Sequence, residues 1–204
     1  MIRLMELFPD HLDLNGDSGN LLVLERRIEW GGLSSSRESV LPGQTPNSRP
    51  DVLLIGHGSA AAWKQVYAEL ARLAPMIQDW LKQGTQVLAI SSGFAALHGL
   101  IDGLPISVDR SQRVSKFVVD EFEGEQVFGY LNSELQLPAV IRHGNILGSM
   151  LHGPLLAKNT GLADQIIESV MASAIRAEIN SSKFDEIELL ATAARKLAEE
   201  QAND

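Results

Sequence analysis

Short apolar runs alternate with longer amphipathic stretches along the first hundred residues. Residues 2–7 (IRLMEL) read as a first strand. A polar turn follows from His11 to Gly19 and carries Asn15-Gly16-Asp17. From Asn20 to Trp30, Leu21, Leu24 and Ile28 recur at helical spacing, and Gly31-Gly32 supplies a C-terminal stop. Residues 33–50 hold Pro42, Pro46 and Pro50 among serines and glycine, which predicts a strand remnant and a long loop. Val52-Leu53-Leu54-Ile55 is a continuous apolar run between Asp51 and Gly56, the pattern of a strand buried on both faces. Residues 60–83 predict a helix with Leu70, Leu73, Ile77 and Leu81 inward and Gly84 as its stop. Val87-Leu88-Ala89-Ile90 is a second buried strand, running directly into Ser91-Ser92-Gly93 and a short helix to Leu97.

The second half reads differently. Phe117–Asp120 and Gln126–Tyr130 flank a Glu-Gly turn and predict a hairpin. Ala139–Arg142 and Ile146–Leu151 flank His143-Gly144-Asn145 as a second hairpin-like pair. Helices over Leu162–Ile175 and Asp185–Gln201 close the chain, the last with fraying end residues. Strand–helix alternation in the first half predicts an α/β fold, a parallel sheet with helices on both faces. No internal repeat and no linker interrupts it, so residues 1–204 read as one domain.

Composition narrows the function. Lys plus Arg total 17 against 26 Asp plus Glu, a net charge of −9, which argues against nucleic acid or an anionic membrane as partner. The N-terminus has no signal-peptide pattern, and no run approaches the roughly 20 apolar residues of a membrane span. The expected location is therefore cytoplasmic, without membrane insertion. There is no cysteine. That removes disulfides, Cys-ligated metals and any cysteine nucleophile. The five histidines show no metal-ligand spacing, so no metal and no other cofactor is expected.

Three constellations could carry chemistry. Ser91-Ser92-Gly93 lies between a buried strand and a helix, with small Ala89 and Gly93 on either side. A nucleophile elbow needs that context, because it presents a side chain over free N–H groups at a helix start. A loop with an N-cap is the plainer alternative. Gly56-His57-Gly58-Ser59 follows the preceding strand, where glycines let backbone N–H groups approach a ligand; a tight turn would look the same. His152, followed by Gly153-Pro154, sits on a rigid turn after an apolar strand and is a candidate general base, although a lone His is more often structural.

Together these segments resemble the class I glutamine amidotransferases of the cobyric-acid-synthase type. Within that group they look most like the GatD-type glutaminase subunits of lipid II isoglutaminyl synthase. LHGPLLAKNTGLAD resembles the segment around the family's catalytic histidine, FPDHLDLNGDSGNLLVLERR its opening segment, and LLIGHGSA its Gly-rich oxyanion turn. LAISSGFAALHG stands where the family has its nucleophile elbow, normally Cys-Gly-Gly-Tyr-Gln. The resemblance spans essentially the whole chain. It implies a flavodoxin-like three-layer sandwich and hydrolysis of L-glutamine. The ammonia would pass to an ATP-dependent, Mur-ligase-like partner of the MurT type. It puts the nucleophile position at Ser91, the base at His152, the oxyanion donors around Gly56, His57, Gly58 and Ser92, and a glutamine-binding arginine at Arg113.

The chain also departs from that pattern. Ser91 replaces the cysteine, Ser92 a glycine and Ala95 a pocket-lining glutamine; His57 interrupts a glycine run, and Pro154 stands where broader class I enzymes have a glutamate. A serine hydroxyl is not ionised near neutral pH and needs strong general-base help, with a third group orienting the base. Three readings follow: a ligase-complex subunit that handles glutamine, a non-catalytic pseudo-amidotransferase acting as scaffold or regulator of a ligase partner, and a Ser–His hydrolase of another amide or ester.

Overall fold

The structure, a computed structural model, describes residues 1–101, 103–104, 113–171 and 181–202. Its strands are β1 (Ile2–Leu7), β2 (Ser35–Val40), β3 (Val52–Ile55), β4 (Gln86–Ile90), β5 (Val114–Phe122), β6 (Glu125–Ser133), β7 (Val140–His143), β8 (Ile146–Ser149) and β9 (Leu151–His152). The helices are α1 (Gly19–Trp30), α2 (Ala60–Lys82), α3 (Ser92–His98), α4 (Leu155–Lys158), α5 (Thr160–Met171) and α6 (Ser181–Ala202).

Six strands form the main sheet in the order β2-β1-β3-β4-β8-β7. All are parallel except β7, which pairs antiparallel with β8 at the edge. The central strands are apolar on both faces because each face is covered. One core layer joins Leu4, Val52, Leu54 and Leu88 to Leu21, Leu24 and Ile28 of α1 and to Leu162, Ile166 and Ile167 of α5. The other joins Met5, Leu53, Ile55 and Val87 to Val66, Leu70, Leu73 and Ile77 of α2 and to Phe94 and Leu97 of α3. This is the expected three-layer α/β sandwich.

Details of the sequence reading shift. Leu81 is only half-buried, and Trp80 takes the inward place beside it. The short helix α4 was not anticipated; it is a single turn whose Leu155 and Leu156 are buried. Ile175, the expected end of the penultimate helix, lies outside the described residues. The largest correction concerns the apolar stretch Ile146–Leu151. It is two strands, parted at Met150. β8 stays in the main sheet, whereas β9 joins a small antiparallel sheet of order β5-β6-β9, with Leu131 opposite Leu151 and Tyr130 opposite His152. The chain thus changes sheets just before His152.

A buried ion pair ties the two ends together. Arg27 of α1 is 2% exposed and makes a bidentate contact with Asp164 of α5, Nε to Oδ1 at 2.8 Å and Nη2 to Oδ2 at 2.6 Å. Asn20 accepts from the Leu156 N–H, and a Cβ at Gly19 would sit 2.8 Å from Pro154 Cγ. The opening segment and the His152 segment are therefore packed directly on each other.

Candidate functional site

β4 ends at Ile90, and the next residue turns sharply. Ser91 has φ 47° and ψ −106°, a conformation that L residues seldom adopt. Its N–H donates to the Ser149 carbonyl of β8 and its carbonyl accepts from Ala95 at the start of α3, which holds the turn at both ends. Gly93 permits it: a Cβ there would lie 2.5 Å from the Ile55 carbonyl oxygen and 2.6 Å from that of Gly56. The first turn of α3 therefore lies against the end of β3. This is the strand–turn–helix geometry that a nucleophile elbow would need. Ser91 itself is buried, and its Oγ makes no hydrogen bond among the described residues.

The Gly-rich turn after β3 lies beside the elbow. A Cβ at Gly56 would fall 1.8 Å from the Leu12 carbonyl oxygen, so no side chain fits there. The three backbone N–H groups that could face an oxyanion are all engaged. Those of His57 and Gly58 donate to Asp17 Oδ2 (2.7 Å) and Ser92 Oγ (3.0 Å), and that of Ser92 to His57 Nδ1 (3.4 Å). Ser92 Oγ also accepts from Trp63 Nε1 at 2.8 Å and lies 2.9 Å from His57 Nδ1 and 3.1 Å from the Gly58 carbonyl. Its single proton can serve only one of those two acceptors. The side chains of Ser92 and His57 thus occupy the Gly58 and Ser92 N–H groups, and Asp17 occupies that of His57.

His57 accepts at Nδ1, so its proton is on Nε2. Burial, then the nearby His152 and the positive charge of Arg113, push its pKa down to about 4, which keeps the ring neutral. The His57 and His152 rings meet edge to face with centroids 4.7 Å apart. His152 Nε2–H donates to the Asn132 carbonyl at 2.8 Å, and its Nδ1 accepts from the Asn15 amide at 2.7 Å. Burial lowers its pKa as well, against the raising effect of the Asn132 contact. Both ring nitrogens are therefore in use, and neither contacts Ser91. Arg113 stands at the rim, its Nε donating to Asn132 Oδ1 at 2.7 Å.

A buried carboxylate lies beneath the Gly-His-Gly turn. Asp17 is fully buried, and its Oδ1 has no hydrogen-bond partner. Burial pushes its pKa from the ordinary 3.8 up to about 7, against the lowering effect of the His57 N–H, with a further raise from Asp13. The fold thus gathers Gly56, His57, Gly58, Ser91, Ser92, His152 and Arg113, which the sequence singles out, in one place. The sequence reading missed Asn15, Asp17, Trp63 and Asn132. Asn15 and Asp17 lie in the opening segment without a signal of their own, and Asn132 becomes relevant only through the β6–β9 register. Among the described residues no three His, Cys, Asp or Glu side chains gather as a metal site, and no helix is long and apolar enough to cross a membrane.

No model of a known protein family matches the sequence. Two curated proteins are similar over most of their length. One is the GatD subunit of lipid II isoglutaminyl synthase (glutamine-hydrolyzing) from Staphylococcus aureus, 23% identical over 202 residues, covering 82% of this chain and 83% of that protein. The other is the GatD subunit from Streptococcus pneumoniae, 21% identical over 225 residues, covering 91% and 86%. Among solved structures, a chain of PurLQS from Thermotoga maritima superposes with TM-score 0.55 at 15% identity, over 85% of this chain and 99% of that one. A glutamine amidotransferase from Thermotoga maritima superposes with TM-score 0.50 at 14% identity, over 100% and 99%. The resemblance to GatD-type amidotransferases read from the motifs thus recurs in curated relatives at low identity, and the fold is that of glutamine amidotransferases.

Proposed function

We propose that this chain is a glutamine amidotransferase-type subunit that serves a Mur-ligase-like, ATP-dependent partner of the MurT type in amidating lipid II. The reaction served is D-glutamate to D-isoglutamine. We propose further that, in the arrangement described, the chain does not hydrolyse glutamine itself. Similarity to two GatD subunits over at least four-fifths of the chain supports the first part. The observation that carries the second is the filling of the oxyanion turn by the chain's own side chains. Hydrolysis through Ser91 would need its Oγ to attack the amide carbon of glutamine while a base takes its proton. The amide oxygen would then gain negative charge and require two N–H donors. Here Gly58 N–H points to Ser92 Oγ, Ser92 N–H to His57 Nδ1, and the His152 lone pair to Asn15.

A second reading, a working glutaminase, draws support from the elbow itself, because Ser91 holds a strained backbone and an unpartnered Oγ. In that reading His57 leaves the turn and His152 exchanges Asn15 for Ser91. Ammonia then departs with the proton from His152, and water hydrolyses the ester to glutamate.

Glutamate release from glutamine, measured with the ligase partner present, separates the two. Wild type and Ser91→Cys are expected to release none above background. Adding His57→Gly and Ser92→Gly to Ser91→Cys is expected to raise release by at least ~10²-fold, the worth of one restored oxyanion donor. Release by wild type that Ser91→Ala abolishes would establish the second reading. Ammonia-dependent amidation by the partner that is indifferent to this chain would overturn the subunit role.

A further inference from the structure

We infer that β5 is a self-pairing edge, and that two copies of this chain associate by antiparallel addition of β5 to β5 about a two-fold axis through Val118. The inference does not depend on the proposed function. β5 is the outer strand of the small sheet, nine residues long, and among the described residues it pairs only with β6. Its other side presents a row of N–H and C=O groups, which is a template for another strand. Phe117 and Val119 on this strand are 41% and 49% exposed, large values for apolar side chains.

The choice of a second copy rests on register. In an antiparallel pair centred on Val118, residues equally far from it face each other. Lys116 then lies opposite Asp120 of the second copy, Phe117 opposite Val119, Val114 opposite Phe122 and Ser115 opposite Glu121, each twice. Lys116 and Asp120 are both exposed; Asp120 Oδ1 accepts from the Glu121 N–H at 2.9 Å, which leaves Oδ2 to meet a lysine. Every apolar residue meets an apolar one, and both Lys116 side chains meet a carboxylate. Other centres lose this. A pair centred on Lys116 sets lysine against lysine, and one centred on Asp120 sets aspartate against aspartate. Centres at Phe117 or Val119 oppose charges to apolar residues. The register that matches the charges is also the one that uses the whole strand without overhang.

An axis normal to the sheet keeps its faces. Phe117, Tyr130 and His152 form a row across β5, β6 and β9. The paired assembly is a six-stranded sheet with both copies of this row on one face, so the two sites open to the same side. A single strand pair buries less than the roughly 1,200 Å² of a standard interface, so the dimer is expected to be reversible in the micromolar range.

Sedimentation velocity on the full chain from about 1 to about 200 µM is the test, the range following from that weak-interface class. Wild type is expected to pass from monomer to dimer. Lys116→Asp and Asp120→Lys each place like charges opposite at two positions and are expected to weaken association at least about tenfold. An equimolar mixture of the two variants is expected to dimerise again, because each strand then carries one sign and meets the other. The combined Lys116→Asp/Asp120→Lys variant is expected to match wild type. Both side chains are exposed, and unchanged thermal melting verifies the fold. A wild type that stays monomeric throughout, or a dimer indifferent to the single reversals, would overturn the inference. So would single reversals that leave self-association unchanged and instead weaken capture of the ligase partner, because the edge would then be that partner's.

Discussion

Replacing Asp17 with Asn tests the electrostatics beneath the Gly56–Gly58 turn. Asp17 is buried, carries one unpartnered oxygen and has its pKa pushed from 3.8 to about 7. Below pH 3.8 the carboxyl is protonated in both folded and unfolded chains and contributes nothing to the pH dependence. Between 3.8 and 7 the unfolded chain releases a proton that the folded chain keeps, so folding stability falls as pH rises. Above 7 the folded chain ionises too, and the penalty levels off at about 4 kcal/mol, from 1.36 kcal/mol per pKa unit. Between pH 5 and pH 8 the fall amounts to about 2–3 kcal/mol. Asparagine has nearly the same shape, keeps a carbonyl to accept the His57 N–H, and carries no charge at either pH. Urea denaturation of wild type and Asp17→Asn at pH 5 and pH 8 gives four stabilities. Other titrating groups cancel in the double difference. The Asn variant is expected to gain about 2–3 kcal/mol on wild type between the two pH values. A difference that does not change with pH would refute the reasoning, because it would mean that the Asp17 carboxylate is as well solvated when folded as when unfolded.

Two further substitutions examine the framework. Arg27→Met strips the guanidinium from Asp164 and Glu188; those carboxylates are 39% and 43% exposed and can be hydrated, so the loss is expected at ~2–3 kcal/mol in denaturation, below the full value for a buried pair. Gly93→Ala drives a Cβ into the Ile55 and Gly56 carbonyl oxygens, neither of which can yield without moving β3; a loss of ~2–4 kcal/mol is expected, read as a fall in melting temperature.

The central sheet was legible because its strands are apolar without interruption and its helices carry their periodicity openly. Val52–Ile55 coincides with β3, and Val87–Ile90 falls one residue short of β4 at its start. The joint at Met150 was not legible, because an apolar run reads the same whether it stays in one sheet or crosses to another. The strand–turn–helix context of Ser91 could be placed, but the local residues read equally as a loop with an N-cap, and only the family resemblance singled out an elbow. The occupation of its donors could not be read. His57 and Ser92 are adjacent to the turn in sequence, but their side chains meet only because α3 lies against β3 through Gly93. Likewise, the partners of His152 lie 137 residues away at Asn15 and 20 residues away at Asn132, with no local pattern to announce them.

The crossing at Met150 has a consequence for how the site comes into being. His152 belongs to the small sheet, Ser91 to the end of a main-sheet strand, and Asn15 to the opening turn. Contacts across such separations close long loops, and their entropy must be offset before any of them holds. The centre is therefore expected to form late in folding, once the two sheets have docked. A local opening that detached β9 from β6 would erase the His152 arrangement while leaving the six-stranded sheet protected. In hydrogen-exchange terms, the amides of β9 and β6 would exchange ahead of those of β3 and β4, and the lifetime of the site would be that of the docking, not of the fold.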